Sequence, residues 1–268
     1  MPSDSNVSTA PSWAGRSVLV TGGTSGTGFQ AAKRLVALGA SVVINGRSEE
    51  RGNEALAALR EVSERVALSL GDCANYSTSE RVVKDVVAAF GGVDVVVSAG
   101  ASSTSRPKLF AEMTPDEVLE GLVAKYQARL FPIHAAIPYL KGREDANIVL
   151  LTTDAGRHAT TGETVVGAYA AGIIQVTKTL AKELSRDRIR VNAVSMTLTA
   201  GTRSWDTIFG NEGFQNVLFS KAVAKFPFGG APTASDVSEA VVFLASHGAA
   251  QITGQTISVN GGLSYGGW

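Results

Sequence analysis

Short, unbroken runs of Val, Ile and Leu alternate with longer segments of helical period along almost the whole chain. No other feature limits the fold as much. "SVLVT" (17–21) leads through a glycine-rich loop into the amphipathic "FQAAKRLVALG". "ASVVIN" (40–45) precedes a charged helical stretch at 48–62, and "RVALSL" (65–70) precedes "SERVVKDVVAAFG", which stops at Gly91. "VDVVVSAG" (93–100) is followed by a helical pattern over 115–140, and "ANIVLLTT" (146–153) by one over 163–185. "IRVNAVS" (189–195), a helix over 234–246 and "QTISVNG" (255–261) complete the series. Strands that are apolar at every position are covered on both faces, which calls for a parallel sheet with helices on each side. The alternation therefore predicts a doubly wound α/β domain with a parallel seven-stranded sheet.

No repeat, linker or second core interrupts the pattern in these 268 residues. One domain over 15–268 is expected, preceded by a disordered tail at 1–14. The segment "MPSDSNVSTAPS" is polar and lacks the apolar centre of a secretory signal. No apolar run has the length of a membrane helix. Lys plus Arg and Asp plus Glu are 24 each, with no basic run, so neither nucleic acid nor a membrane surface is an expected partner. The single cysteine, Cys73, excludes an internal disulfide and a cysteine-based metal cluster, and is read as a half-buried structural thiol. No His/Asp/Glu grouping has metal-ligand spacing. The expectation is a soluble, cytoplasmic protein acting on a small molecule.

"TGGTSGTG" (Thr21–Gly28) lies between the first strand and its helix. Glycines at 22, 26 and 28 let the backbone turn sharply and approach a pyrophosphate with no Cβ in the way, and the next helix aims its first N–H groups at the charge. A tight structural turn also uses glycines, but the position after the first strand of a doubly wound pattern favours a dinucleotide. The spacing Thr-Gly-x-x-x-Gly-x-Gly resembles that of the short-chain dehydrogenase/reductase family. So do Gly71–Asp72 at the end of the third strand, Ser98–Ala99–Gly100 at the end of the fourth, "IRVNAVS", and "ITGQTISVNGG" (252–262). The resemblance spans about residues 15–262 and implies a Rossmann-type domain. It implies that Gly22, Thr24, Ser25, Gly26, Gly28, Asp72, Ser98, Ala99 and Gly100 bind the cofactor, with Asp72 at the adenine. An Asp or Glu that closes the second strand selects NAD by bonding the ribose hydroxyls. Here Gly46 stands in that place and Arg47 follows, with Ser48 or Asn45 as further donors. NADP(H) is therefore favoured over NAD(H), although a solvated loop arginine would look the same.

In the family, the resemblance implies, an Asn, a Ser, a Tyr and a Lys do the chemistry: the Tyr moves a proton, the Lys lowers its pKa and the Ser polarises the carbonyl. Two registers compete for these positions. One pins Tyr169 as the tyrosine, which puts Ile173 at the lysine and Gly156 at the serine. The other pins "IVLLTTDAG" and "TKTLAKEL", which puts Thr153 at the serine, Val166 thirteen residues on at the tyrosine, and Ala170 at the lysine. Only the second fits both flanks without a gap. The tyrosine and lysine are then lost, and Val166 and Ala170 face the nicotinamide. Counting back from Pro138 puts Lys125 at the asparagine, and Met196–Thr197 replace a Pro-Gly. Thr153, Lys125 and Tyr169 are the candidate catalytic residues. Tyr169 alternatively packs with its hydroxyl at a subunit surface. Asp154 is a base or a solvated loop acid, and Glu163 and His158 lie in the loop before the helix, His158 ranking low.

The leading reading is an NADP(H)-dependent oxidoreductase of a small apolar carbonyl or alcohol with a non-standard proton donor. The alternatives are a non-redox isomerase, dehydratase or lyase on the same scaffold, and a catalytically silent nucleotide-binding subunit. A substrate lid is expected at about 197–230, where Trp205, Ile208, Phe209, Phe214, Phe219, Phe226 and Phe228 gather. The resemblance implies a homotetramer or homodimer through the helices at 115–140 and 163–185, with Trp268 docking at an interface. Sedimentation at micromolar concentration checks this, and a mass of one chain would refute it.

Overall fold

The computed structural model describes residues 13–101 and 107–265; most of the expected N-terminal tail and Trp268 lie outside them. The elements run β1 (Ser17–Thr21), α1 (Gly26–Ala37), β2 (Ser41–Gly46), α2 (Glu49–Arg60), β3 (Val66–Leu70), α3 (Tyr76–Phe90) and β4 (Val95–Ser98). They continue with α4 (Pro115–Leu140), β5 (Asn147–Thr153), α5 (Thr164–Leu184), β6 (Arg190–Met196), α6 (Arg203–Phe209), α7 (Phe214–Val223), α8 (Ala234–Ala245) and β7 (Thr256–Val259). All seven strands are parallel, in the order β3-β2-β1-β4-β5-β6-β7. The chain winds outward from β1 in both directions, so a crevice opens at the carboxyl ends of β1 and β4.

Each strand feeds two cores by simple alternation. Val18, Val20, Val42, Ile44, Val95 and Val97 pack towards α1 and α8. Leu19, Val43, Val96, Ile148 and Leu150 pack towards α3, α4 and α5. Cys73 is 4% exposed, so it is more deeply buried than expected. Its Sγ donates to Asn45 Oδ1, and burial lifts its pKa to about 11, which leaves an unreactive thiol. Among the described residues no helix is long and apolar enough to cross a membrane, and no His/Cys/Asp/Glu group could hold a metal.

The amino ends of the strands are tied by charge. Asp145 accepts from Arg16 at 3.1 Å and from Arg190 Nη2 at 3.2 Å, and Arg190 also donates to the carbonyls of Leu244 and Ser246. This joins the starts of β1 and β6 to the end of α8, on the edge of the sheet opposite the crevice. Arg190 is 7% exposed, so removal of its partner strands a desolvated charge. Asp145→Ala should lower the unfolding free energy by about 3 kcal/mol in a urea melt. A loss below about 0.5 kcal/mol, as for a surface pair, would contradict this account.

Candidate active site

The glycine loop closes tightly on the end of β4. A Cβ on Gly22 would lie 2.7 Å from the Ala99 carbonyl oxygen, and one on Gly28 would run into the Gly22 carbonyl. Thr21 Oγ1 accepts the N–H groups of Ala99 and Gly100, which fixes the two loops against each other. No side chain caps α1, although Ser25 stands at its N-cap, so its first N–H groups face the cleft unmasked. Gly22, Thr24, Ser25, Gly26 and Gly28 line this cleft, as do Arg47, Asp72, Ala99 and Gly100. Ser98 does not. It is fully buried and its hydroxyl donates to the Arg129 carbonyl at 2.8 Å, so its place is structural.

Beyond the carboxyl ends of β2 and β3, Arg47 stands 3.6 Å from Asp72, both side chains half exposed. A Cβ on Gly46 would sit 2.5 Å from Thr24 Cγ2, so no acid fits there unless Thr24 moves. The Asn45 amide is already spent on the carbonyls of Ser69 and Gly71, which removes it as a phosphate donor. Ser48 caps α2 by accepting from the Arg51 N–H. Arg51, which the sequence reading passed over, lines the cleft beside Arg47. The residues present fit a nicotinamide dinucleotide: an uncapped helix start for the pyrophosphate and two arginines at the ribose end.

The cleft continues into a cavity of about 700 Å³ beside the end of β5. Lys125, Arg129 and Met196 border both spaces. Thr153, the last residue of β5, and Val166, in the first turn of α5, line the cavity. Ala170 does not; it is fully buried and its carbonyl accepts from Thr152. The expectation that Val166 and Ala170 both face the reacting centre thus holds in place only for Val166. Tyr169 is 5% exposed and stacks edge-to-face on Tyr126 at 5.3 Å. Its hydroxyl is not at the protein surface; it accepts from Arg129 Nε at 3.0 Å.

Arg129 was not foreseen. It stands four residues after Lys125 on α4, is 7% exposed, and donates to the Gly100 carbonyl as well as to Tyr169. No carboxylate among the described residues pairs with it. The only signal in the sequence was an arginine at helical spacing from Lys125 among mostly apolar residues. Asp154 is neither base nor solvated acid. It is 5% exposed and accepts from Ser195, Ser258, Asn260 and Ser264, which pins β6, β7 and the segment beyond them to the end of β5.

Lys125 and Glu163 share the cavity. Burial lowers the pKa of Lys125, and the charge on Arg129 lowers it further. Burial raises that of Glu163 to about 7 against the pull of Lys125. The opposite wall comes from the segment expected to be a lid: Trp205 and Ile208 from α6, Leu218 and Phe219 from α7. Of the aromatics expected there, Phe209, Phe214, Phe226 and Phe228 do not reach the cavity; Phe209 stacks on Trp205 and Phe228 is 83% exposed.

The model of a family described as enoyl-(acyl carrier protein) reductase matches residues 22–264. A 3-oxoacyl-[acyl-carrier-protein] reductase FabG of Chlamydia muridarum is 30% identical over 252 residues, which are 93% of this chain and 97% of that protein. An NADPH-bound short chain oxidoreductase of Pseudomonas aeruginosa PAO1, containing an atypical catalytic center, superposes with a TM-score of 0.87. It is 27% identical, and the match covers 96% of this chain and all of that one. A short chain dehydrogenase of Burkholderia cenocepacia in complex with NADP gives a TM-score of 0.83 at 27% identity, over 94% and 99% of the two chains.

Glu163 ties stability to pH. Its ordinary value of 4.5 becomes about 7 in the folded chain. Between those values the folded state holds a proton that the unfolded state has released, so stability falls as pH rises through the window and the loss is complete above it. Glu163→Gln should therefore be the more stable protein at pH 8, by on the order of 2 kcal/mol, and equal to the parent at pH 4. Thermal melts at the two pH values check this; the same difference at both would sink it.

Proposed function

The chain belongs to the short-chain dehydrogenase/reductase family, a family of oxidoreductases, and on that premise we propose that it is an NADP(H)-dependent oxidoreductase of an apolar carbonyl or alcohol that works without the family's tyrosine and lysine. The observation that carries this reading is the continuity of the two spaces. The glycine-lined cleft opens into the cavity at Thr153, and Lys125 and Arg129 stand at the junction. A scaffold that only held a nucleotide has no need of a 700 Å³ chamber at that junction.

The uncapped start of α1 would hold the pyrophosphate, and Arg47 and Arg51 the 2′-phosphate. When bound, the nicotinamide supplies hydride transfer. Arg129 supplies the fixed positive charge that Ala170 cannot, with Tyr169 and Gly100 as the acceptors that orient it. Thr153, whose hydroxyl hydrogen is free, donates to the substrate oxygen. The Lys125 ammonium stabilises negative charge as it grows on that oxygen. Val166, Trp205, Ile208, Leu218 and Phe219 take the apolar body of the substrate, and the segment 197–230 closes over it. NADPH and NADP in the two solved relatives support the choice of cofactor.

One experiment tests cofactor and reaction together. NADPH should bind more tightly than NADH by fluorescence titration and should be consumed with at least one member of a panel of apolar ketones and aldehydes. Arg47→Ala should weaken NADPH binding by about 1–3 kcal/mol, the worth of a hydrogen bond to a charged group, and leave NADH unchanged. Equal losses for both cofactors would refute the 2′-phosphate contact. Product formed without change in nicotinamide absorbance would refute the redox reading in favour of an isomerase or lyase.

A further inference from the structure

We propose that Glu163 is the general acid of this site, giving its carboxyl proton to the substrate oxygen in reduction and taking it back in oxidation, in the place of the absent tyrosine. The inference rests on the oxidoreductase reading and supplies the proton donor that reading lacks.

Position comes first. Glu163 is the N-cap of α5 and lies three residues, about one turn, before Val166. It lines the same cavity as Val166, Thr153 and Lys125. Its side chain makes no bond to the first N–H groups of the helix. Its carboxyl has no hydrogen-bond donor and no ion-pair partner within 4 Å among the described residues. A half-buried carboxyl with nothing to accept from is unfavourable unless it keeps its proton or meets a ligand. Asp154, in the same cavity wall, shows the structural alternative: that carboxylate is saturated by four donors and stays out of the chemistry.

The charges around Glu163 fit the task. From α4 come Lys125, the one charge that acts on it appreciably, and Arg129, which is turned to Tyr169 and Gly100. Asp154 and His158 face the cavity from the loop after β5, Tyr169 from α5 itself, Lys221 from α7 and Lys225 from just beyond its end. Burial outweighs Lys125 and sets the acid near neutrality, where a general acid works best. The step balances. As the carbonyl carbon accepts hydride, the π pair of the C=O bond moves to oxygen and takes the Glu163 proton; the alcohol departs and the carboxylate is reprotonated from solvent. Lys125, which favours the carboxylate, steadies the charge left behind.

Wild type, Glu163→Gln and Glu163→Asp are compared on a carbonyl that the wild type reduces with NADPH. Glu163→Gln should lower kcat by about 10²–10⁴-fold, the usual worth of general acid catalysis, with KM little changed. Glu163→Asp should recover part of the loss. Wild-type reduction should fall as pH rises through about 7 and alcohol oxidation should rise over the same range; both limbs should vanish in Glu163→Gln. A readout that needs no turnover is the side-chain carboxyl resonance of Glu163 in protein labelled with ¹³C-glutamate and without cofactor, assigned by its absence in either variant. It should titrate near neutrality, and its midpoint should rise in Lys125→Met, where the charge that favours the carboxylate is gone. A midpoint in the ordinary carboxylate range overturns the inference. So does a Glu163→Gln enzyme with the wild-type rate and pH profile, and in that case the oxidoreductase reading stands. A wild type that consumes no NADPH with any carbonyl overturns that reading and the inference with it, whatever the resonance shows.

Discussion

Arg129 is a full positive charge held in the core with no carboxylate among the described residues opposite it. Its desolvation is offset by two neutral oxygens, the Tyr169 hydroxyl and the Gly100 carbonyl, and by its open side towards the cleft. Much of the site follows from that one placement. Tyr169 has to turn inward, so its hydroxyl is committed before any substrate arrives. Ala170 can be small and sealed, because the positive charge comes from another helix. Lys125, one turn away on α4, sits beside a cation in a half-buried position and is pushed towards its neutral form by both. A guanidinium suits this post better than an ammonium, since it cannot lose its charge and its planar fork can bond two acceptors at once.

The two edges of the sheet divide the labour. At the amino ends of the strands Asp145, Arg16 and Arg190 form a closed, satisfied network. At the carboxyl ends the saturated groups are those that hold backbone in place: Thr21 between two loops, Asp154 under β6 and β7. The unsaturated ones, the start of α1, the Arg129 fork and the Glu163 carboxyl, all border one continuous space. Unsatisfied polar groups are rare in a folded chain, and the meeting of these three at one crevice supports a site of chemistry there, while Asn147 Oδ1 and Thr256 Oγ1 are left without partners elsewhere.

The fold was legible because its determinants are local. Each β run is rich in Val, Ile or Leu and element boundaries carry signals within a few residues, such as Gly91 in the left-handed region at the end of α3 or the Thr114–Glu117 capping box that opens α4. The helices of the 197–230 segment were legible only as a stretch: α6 and α7 are short, and their sequence mixes polar and aromatic residues without a clear period. In the site, the gapless spacing from Thr153 to Val166 was enough to put valine at the cavity wall, since a strand end, a loop of fixed length and a helix start admit one register. What spacing could not reach was the partner of each charge. Arg129 meets Tyr169 across forty residues, and Asp154 meets Asn260 across more than a hundred. Whether a polar residue is a knot, a clamp or a reactant depends on such contacts, so Asp154 read as a base or a solvated loop acid and Arg129 was not read at all.

Moving the proton donor from a phenol to a carboxyl would reverse the electrostatics that a site must provide. A tyrosine starts near pKa 10 and needs a cation beside it to come down towards neutrality, which is why the family's lysine stands one turn away. A glutamate starts well below neutrality and needs the opposite: apolar surface to push it up and no cation close enough to pull it back. This cavity has that composition. Val166, Leu218 and Phe219 supply apolar wall, Ala170, which spacing matches to the family's lysine, is sealed, and Lys125 is kept beyond ion-pairing distance. Under the proposed mechanism Val166 and Ala170 are therefore not two separate defects. With a carboxyl as the acid, a lysine at position 170 would hold it ionised and unable to give its proton, and a tyrosine at 166 would take up the apolar surface that keeps the proton on.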